Sequence, residues 1–156
     1  LIYALNTVEF IPQSQKRVNE LVSCIRHAMH SAKALKDVLH NRIDFRDSAD
    51  DIKYNQYNTF RKQLEKFYTE IDVMLEAPPK TIASNFERLM HLAHDQYFER
   101  QNEIYDAARK RKMAEEDISS LLNVNRELYT SCKTIVQALN IFYADRSEQK
   151  VIGDFP

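Results

Sequence analysis

The chain has 156 residues, 29% of them charged, and a formal net charge of −1. The two signs are interspersed, which excludes a global basic field able to hold nucleic acid by its phosphates, and no run approaches the roughly 20 apolar residues of a membrane-spanning helix. One glycine, Gly153, and four prolines, Pro12, Pro78, Pro79 and Pro156, leave the stretches 13–77 and 80–152 without a strong breaker. Glycine and proline are the main punctuators of turns and strand ends, so their scarcity predicts long helices and an all-α fold.

The length fits a single domain, 1–156, large enough to bury a core without covalent staples. As one helix, 13–77 would run about 98 Å, which a compact domain cannot use, so each stretch is expected to fold back once. The first helix is predicted over 14–43, just past Pro12. Its apolar stripe takes in Val18, Leu21, Val22, Ile25, Ala28, Met29, Ala32, Leu35, Leu39 and Ile43 at three- and four-residue spacing. The segment Asp44–Ser48 is expected to break it. Ser48 with Asp51 has the form of a capping box for a second helix over 48–77, and Asp50 adds negative charge to its first turn. That helix repeats Tyr57, Phe60, Leu64, Phe67, Ile71 and Met74, a heptad seam ended by Pro78-Pro79.

Thr81, or Ser84 with Glu87, can cap a third helix over 81–110 bearing Phe86, Leu89, Ala93, Tyr97, Ile104 and Ala107. No turn residue marks its end. Arg109–Lys112 followed by Glu115-Glu116-Asp117 places cations where a helix C-terminus favours them and anions where an N-terminus does; one continuous helix with a charged face is the alternative. The fourth helix, 114–144, has a seam of Ala114, Ile118, Leu121, Asn125, Leu128, Cys132, Ile135, Leu139 and Phe142. Four helices of this length joined by short links predict an antiparallel up-down bundle, with 1–11 and 145–156 as connecting segments. Cys24 and Cys132 read as buried, inert thiols of a reducing compartment.

Polar residues carry less information. His27, His30, Lys33, Asp37, His40 and Asn41 lie on one side of the first helix, roughly opposite its apolar stripe. Such a face suits a metal or an anion, and it equally suits solvent or a docked partner. Asn125 is a polar residue on a seam, where a buried amide sets register or meets a ligand. Arg126 and Glu127 flank it and can pair across helices. Tyrosines on three helices fit core edges or an interaction surface. No Glu has a His three residues on, as a di-iron bundle needs, and there is no glycine-rich phosphate loop, His-Glu-x-x-His or zinc-spaced cysteine pair. His27/His30 and His91/His94 share a spacing that alone specifies nothing. Neither catalytic residues, a metal site nor a cofactor is therefore expected.

Two segments have a familiar look. One is Ser31–Arg42 (SAKALKDVLHNR), continuing to Phe45-Arg46 and Ser48–Asp51; the other is Ile118–Tyr129 (ISSLLNVNRELY). Together they resemble the PhoU-like cytoplasmic C-terminal domain of bacterial sodium/phosphate cotransporters. The resemblance implies a non-catalytic regulatory or structural bundle on the cytoplasmic side of the inner membrane. Its main partner would be the membrane transport domain of the same polypeptide, which would handle sodium and phosphate. A start at Leu1 then reads as the interior of a longer chain. PhoU proteins hold metal clusters through Glu/Asp-x-x-x-Asp motifs, and this sequence departs from them: Asp37 meets Asn41 at the fourth position, and Asp95, Glu99 and Glu103 end in Glu. Only Asp47 and Asp51 fit, at a predicted helix start. The metal site is accordingly not carried over.

A free-standing PhoU-type regulator that binds metal and partner proteins is the alternative, and a ligand-binding or enzymatic bundle with a pocket near Asn125 is a third reading. Heptad seams and surface tyrosines allow a homodimer. From the seams, Leu64→Ala and Leu128→Ala are each expected to cost about 2–5 kcal/mol in chemical denaturation, and His30→Ala less than about 1 kcal/mol.

Overall fold

The computed structural model describes residues 12–77, 81–111 and 113–143. Among these residues there is no strand. Five helical segments follow one another: α1 (Pro12–Asp37), α2 (Leu39–Arg46), α3 (Asp51–Glu76), α4 (Ile82–Arg111) and α5 (Glu115–Tyr143). They form a helical bundle. The expected connecting segments 1–11 and 145–156 lie outside the described residues.

Local chemistry sets the boundaries. Pro12 occupies the first position of α1, where a missing N–H costs nothing. At Val38 the backbone leaves helical geometry, with φ −102° and ψ 6°, and the chain re-enters a helix as α2. The predicted first helix is therefore two segments, and the expected break at Asp44 is corrected to the link after Arg46. Phe45, assigned to that break, is buried on α2. The cap of α3 is also corrected. Asp50, not Ser48, is the N-cap: its carboxylate accepts from the Ile52 N–H at 2.7 Å, while the Ser48 hydroxyl accepts from the Asp50 N–H. A cap of this kind is worth about 1 kcal/mol. Ala77, which precedes Pro78, ends α3 in extended backbone, the conformation a following proline favours. Ser84 lies in the first turn of α4 and donates to the Thr81 carbonyl. Between Arg111 and Glu115 the chain does break where the charges switch sign, so the continuous-helix alternative is set aside; the Ala114 carbonyl accepts from the N–H groups of Asp117 and Ile118.

α5 is the central element, packed by α1 on one side and chiefly by α4 on the other. Arg17 near the start of α1 donates to the Phe142 carbonyl near the end of α5, and Ser31 meets Ser131, so these two helices run in opposite directions. Lys53 pairs with Asp117, which sets the starts of α3 and α5 at the same end. Arg88 pairs with Glu70 at 2.6 Å across the α3–α4 hairpin.

Two apolar clusters result. One joins Phe67, Ile71 and Met74 of α3 to Phe86, Leu89 and Met90 of α4 and Cys132 and Val136 of α5. The other joins Val38 and Phe45 to Phe60, Ile104, Leu121 and Val124. Complete burial of a phenylalanine such as Phe67 contributes about 1.5–3 kcal/mol.

The predicted seam of α3 is inward. So is most of the α4 seam. On α5, Ala114 and Phe142 are exposed, whereas Val124, Ser131 and Ala138 are buried as well, because this helix has packed neighbours on two sides. The stripe assigned to α1 is corrected in part. Val18, Leu21, Val22, Ala28 and Leu35 are half-buried, but Ile25 and Met29 are 58% and 65% exposed, and Ala32, with Leu39 and Ile43 of α2, is also exposed. The fully buried positions here are Ser31 and Ala34 of α1 and Val38 just past its end. The physical reason is close approach: two serine hydroxyls meet at 2.9 Å in a fully enclosed contact, and larger side chains do not fit such a seam. Ser131→Leu is therefore expected to destabilise the fold by about 1–3 kcal/mol through overpacking, read from the midpoint of urea unfolding; an unchanged midpoint would show that α1 and α5 are not closely apposed.

Candidate functional site

Between the two apolar clusters lies a polar layer. Asn125 on α5 is 3% exposed, and its amide donates to the Tyr97 carbonyl of α4 at 2.9 Å. The rings of Tyr97 and Tyr129 stack at 4.9 Å between centroids. A small cavity of about 20 Å³ opens here, with Gln63, Gln96, Asn125 and Tyr129 among its walls. The Tyr129 hydroxyl is buried without a protein partner among the described residues, and burial pushes its pKa up, with Tyr97 adding to the effect. Asn125 thus occupies the seam position where the sequence places it. It ties α5 to the α4 backbone at one register, the role a buried seam amide performs.

Arg126, grouped with Asn125 as a core polar residue on sequence grounds, is not in the core. Its side chain is 63% exposed and bonds to Asn123 and Glu127 on its own helix, not across helices. The buried arginine is Arg100, at 5% exposure, paired with Glu103 one turn on, with its Nε lacking a partner. Burial holds its guanidinium below the usual arginine value. Its signal was in the sequence: the α4 seam jumps seven residues from Tyr97 to Ile104, and Arg100 fills the missing step.

The six residues of the polar stripe do not form one site. His27 and Asn41 are half-buried, while His30, Lys33, Asp37 and His40 are exposed. Burial, and then the nearby His30, hold the His27 imidazole below its ordinary pKa. His40 lies 3.3 Å from Asp44 in open solvent. Among the described residues no three histidine, cysteine or acidic side chains converge as a metal-binding set. Neither cysteine is in a disulfide; Cys132 is buried, its thiol pushed up to about 12, and Cys24 is half-buried and also raised by burial.

A larger cavity, about 230 Å³, lies where α1, α2, α3 and α5 meet. Leu35 of α1 and Val38 form one wall, with Leu39, Arg42 and Phe45 from α2. Tyr57, Phe60, Arg61 and Leu64 of α3 form the second, and Val124 and Leu128 of α5 the floor. The break at Val38 divides the helices that line one side of it, and Phe45 of α2 packs in one cluster with Phe60 and Val124. Leu64 and Leu128 are half-buried and line this cavity, which moves their alanine variants toward the lower end of the expected loss.

No protein-family model, curated protein or solved structure matches the chain.

Arg100 yields a test of the buried charge. Because Glu103 is half exposed and stays hydrated when left alone, Arg100→Met is expected to change stability by no more than about 1 kcal/mol, measured by denaturant midpoint. A loss above about 1 kcal/mol would instead give the guanidinium a structural role beyond its pair with Glu103.

Proposed function

We propose that this chain is the cytosolic regulatory or structural domain of a sodium-dependent phosphate symporter, itself non-catalytic. The reading rests on the two segments that resemble that family. One observation supports it most directly. The segments are distant in sequence, yet they meet: Val38 and Phe45 from the first pack in one cluster with Leu121 and Val124 from the second. Residues that carry a resemblance and also share a core form one folding unit, as a domain-level likeness requires.

The finer arrangement, an up-down bundle of PhoU type, belongs to the same proposal. In this reading sodium and phosphate cross the bilayer through a separate membrane part of the polypeptide. Among the described residues no helix is long and apolar enough to cross a membrane. The domain then acts through contact with that membrane part, and surface tyrosines such as Tyr54, Tyr68 and Tyr105, all exposed, supply contact area.

Fractionation of the native host, probed with an antibody to this domain, tests the proposal. The expected result is a band in the membrane pellet, well above 18.4 kDa and released by detergent alone. A soluble band close to the mass of this chain would refute it and favour a free-standing PhoU-type regulator, to be assayed for bound metal.

A further inference from the structure

The cavity where α1, α2, α3 and α5 meet has a lining of unusual charge. Its walls are aliphatic and aromatic apart from Tyr57 and two arginines, Arg42 and Arg61, and no acidic residue lines it. Both arginines are exposed, and neither has an ion-pair or side-chain hydrogen-bond partner among the described residues. They sit on different elements, α2 and α3, and both line the cavity. Arginines on other surfaces are paired with acids: Arg46 with Asp47, Arg88 with Glu70, Arg109 with Asp106 and Arg126 with Glu127. Two free guanidinium groups over an apolar hollow therefore form a local positive field that the sequence does not cancel.

The geometry points to a binding site for a small amphipathic anion, a molecule with one carboxylate and a medium-length acyl chain. The apolar walls take the chain by ordinary hydrophobic burial. The guanidinium fork matches a carboxylate in shape and charge, and it gives the bound ligand an orientation, head outward and tail toward Val124 and Leu128. Size narrows the class. At about 230 Å³ the cavity exceeds the roughly 150 Å³ that accommodates benzene, and it falls below the roughly 300 Å³ at which drug-sized sites begin. A diacyl lipid is too large, and a bare inorganic anion leaves the apolar walls without a role. The inference stands on the cavity alone and does not depend on the transport reading.

The chain labelled with carbon-13 at Leu and Val methyls would be titrated with decanoate, with decanol and with inorganic phosphate, following the methyl signals of Leu35, Leu39, Val124 and Leu128. Decanoate is expected to shift these signals and to bind at least about tenfold more tightly than decanol. In the R42Q/R61Q double variant that preference is expected to fall below about threefold, with an unchanged thermal midpoint, since both side chains are exposed. Leu39→Trp, which narrows the opening, is expected to weaken both ligands. Equal affinity for decanoate and decanol would overturn the proposal, and so would shifts confined to other methyls or the absence of any shift. Phosphate binding as tightly as decanoate would reassign the arginines to a simple anion site.

Discussion

Val124, Ser131 and Ala138 are buried on α5, and so are Leu121, Asn125 and Cys132 of its heptad seam. Burial on two sides makes α5 the element on which the others are assembled. Toward α3 and α4 the helix offers Cys132 and Val136 to Phe67 and Leu89, an interlocking of large side chains. Toward α1 it offers Ser131 to Ser31, a contact close enough for their hydroxyls to bond. The first interface is held by apolar area and the second by proximity.

The polar layer follows from the same geometry. An amide at Asn125 would be costly on a surface packed by leucines, yet it has a carbonyl to bond, and that bond fixes how α4 and α5 slide against each other. Above and below it the two apolar clusters are free to differ. One is a three-helix core around Phe67 and Leu89. The other takes in Phe45 of α2 and Val38 at the break between α1 and α2, and the larger cavity lies beside it. The two segments that resemble the transporter domain both contribute to that second cluster, so the functional proposal and the cavity concern the same end of the bundle.

The helices were legible because their punctuation is chemical. Pro78, the acidic start at Glu115 and the basic run before it mark ends that the structure places within a few residues. The inward faces of α3 and α4 were legible because large apolar residues recur there every three or four positions. α1 misled for a specific reason. Two of its large apolar residues, Ile25 and Met29, are exposed, and its fully buried positions are a serine and an alanine, which hydrophobic periodicity weighs lightly. Arg100 was missed for the converse reason: a charged residue on a seam was passed over as a gap. The cavity has no signature in sequence at all. It is a juxtaposition of four elements, and neither Arg42 nor Arg61 differs from an ordinary surface arginine until the walls around them are known.

The packing of α1 chiefly against α5 has a structural consequence. α3, α4 and α5 enclose a core of their own around Phe67, Leu89 and Val136, to which α1 contributes no side chain. α1 nevertheless packs on α5 more extensively than any other helix does, with Val18, Leu21 and Val22 half-buried along it, so separating the two would uncover apolar surface over most of their length. The molecule is therefore held along α5 by two separate seams, one that encloses the inner core and one that carries α1. Val38 belongs both to the junction of α1 with α2 and to the second apolar cluster, and so links the α1 seam to that end of the bundle.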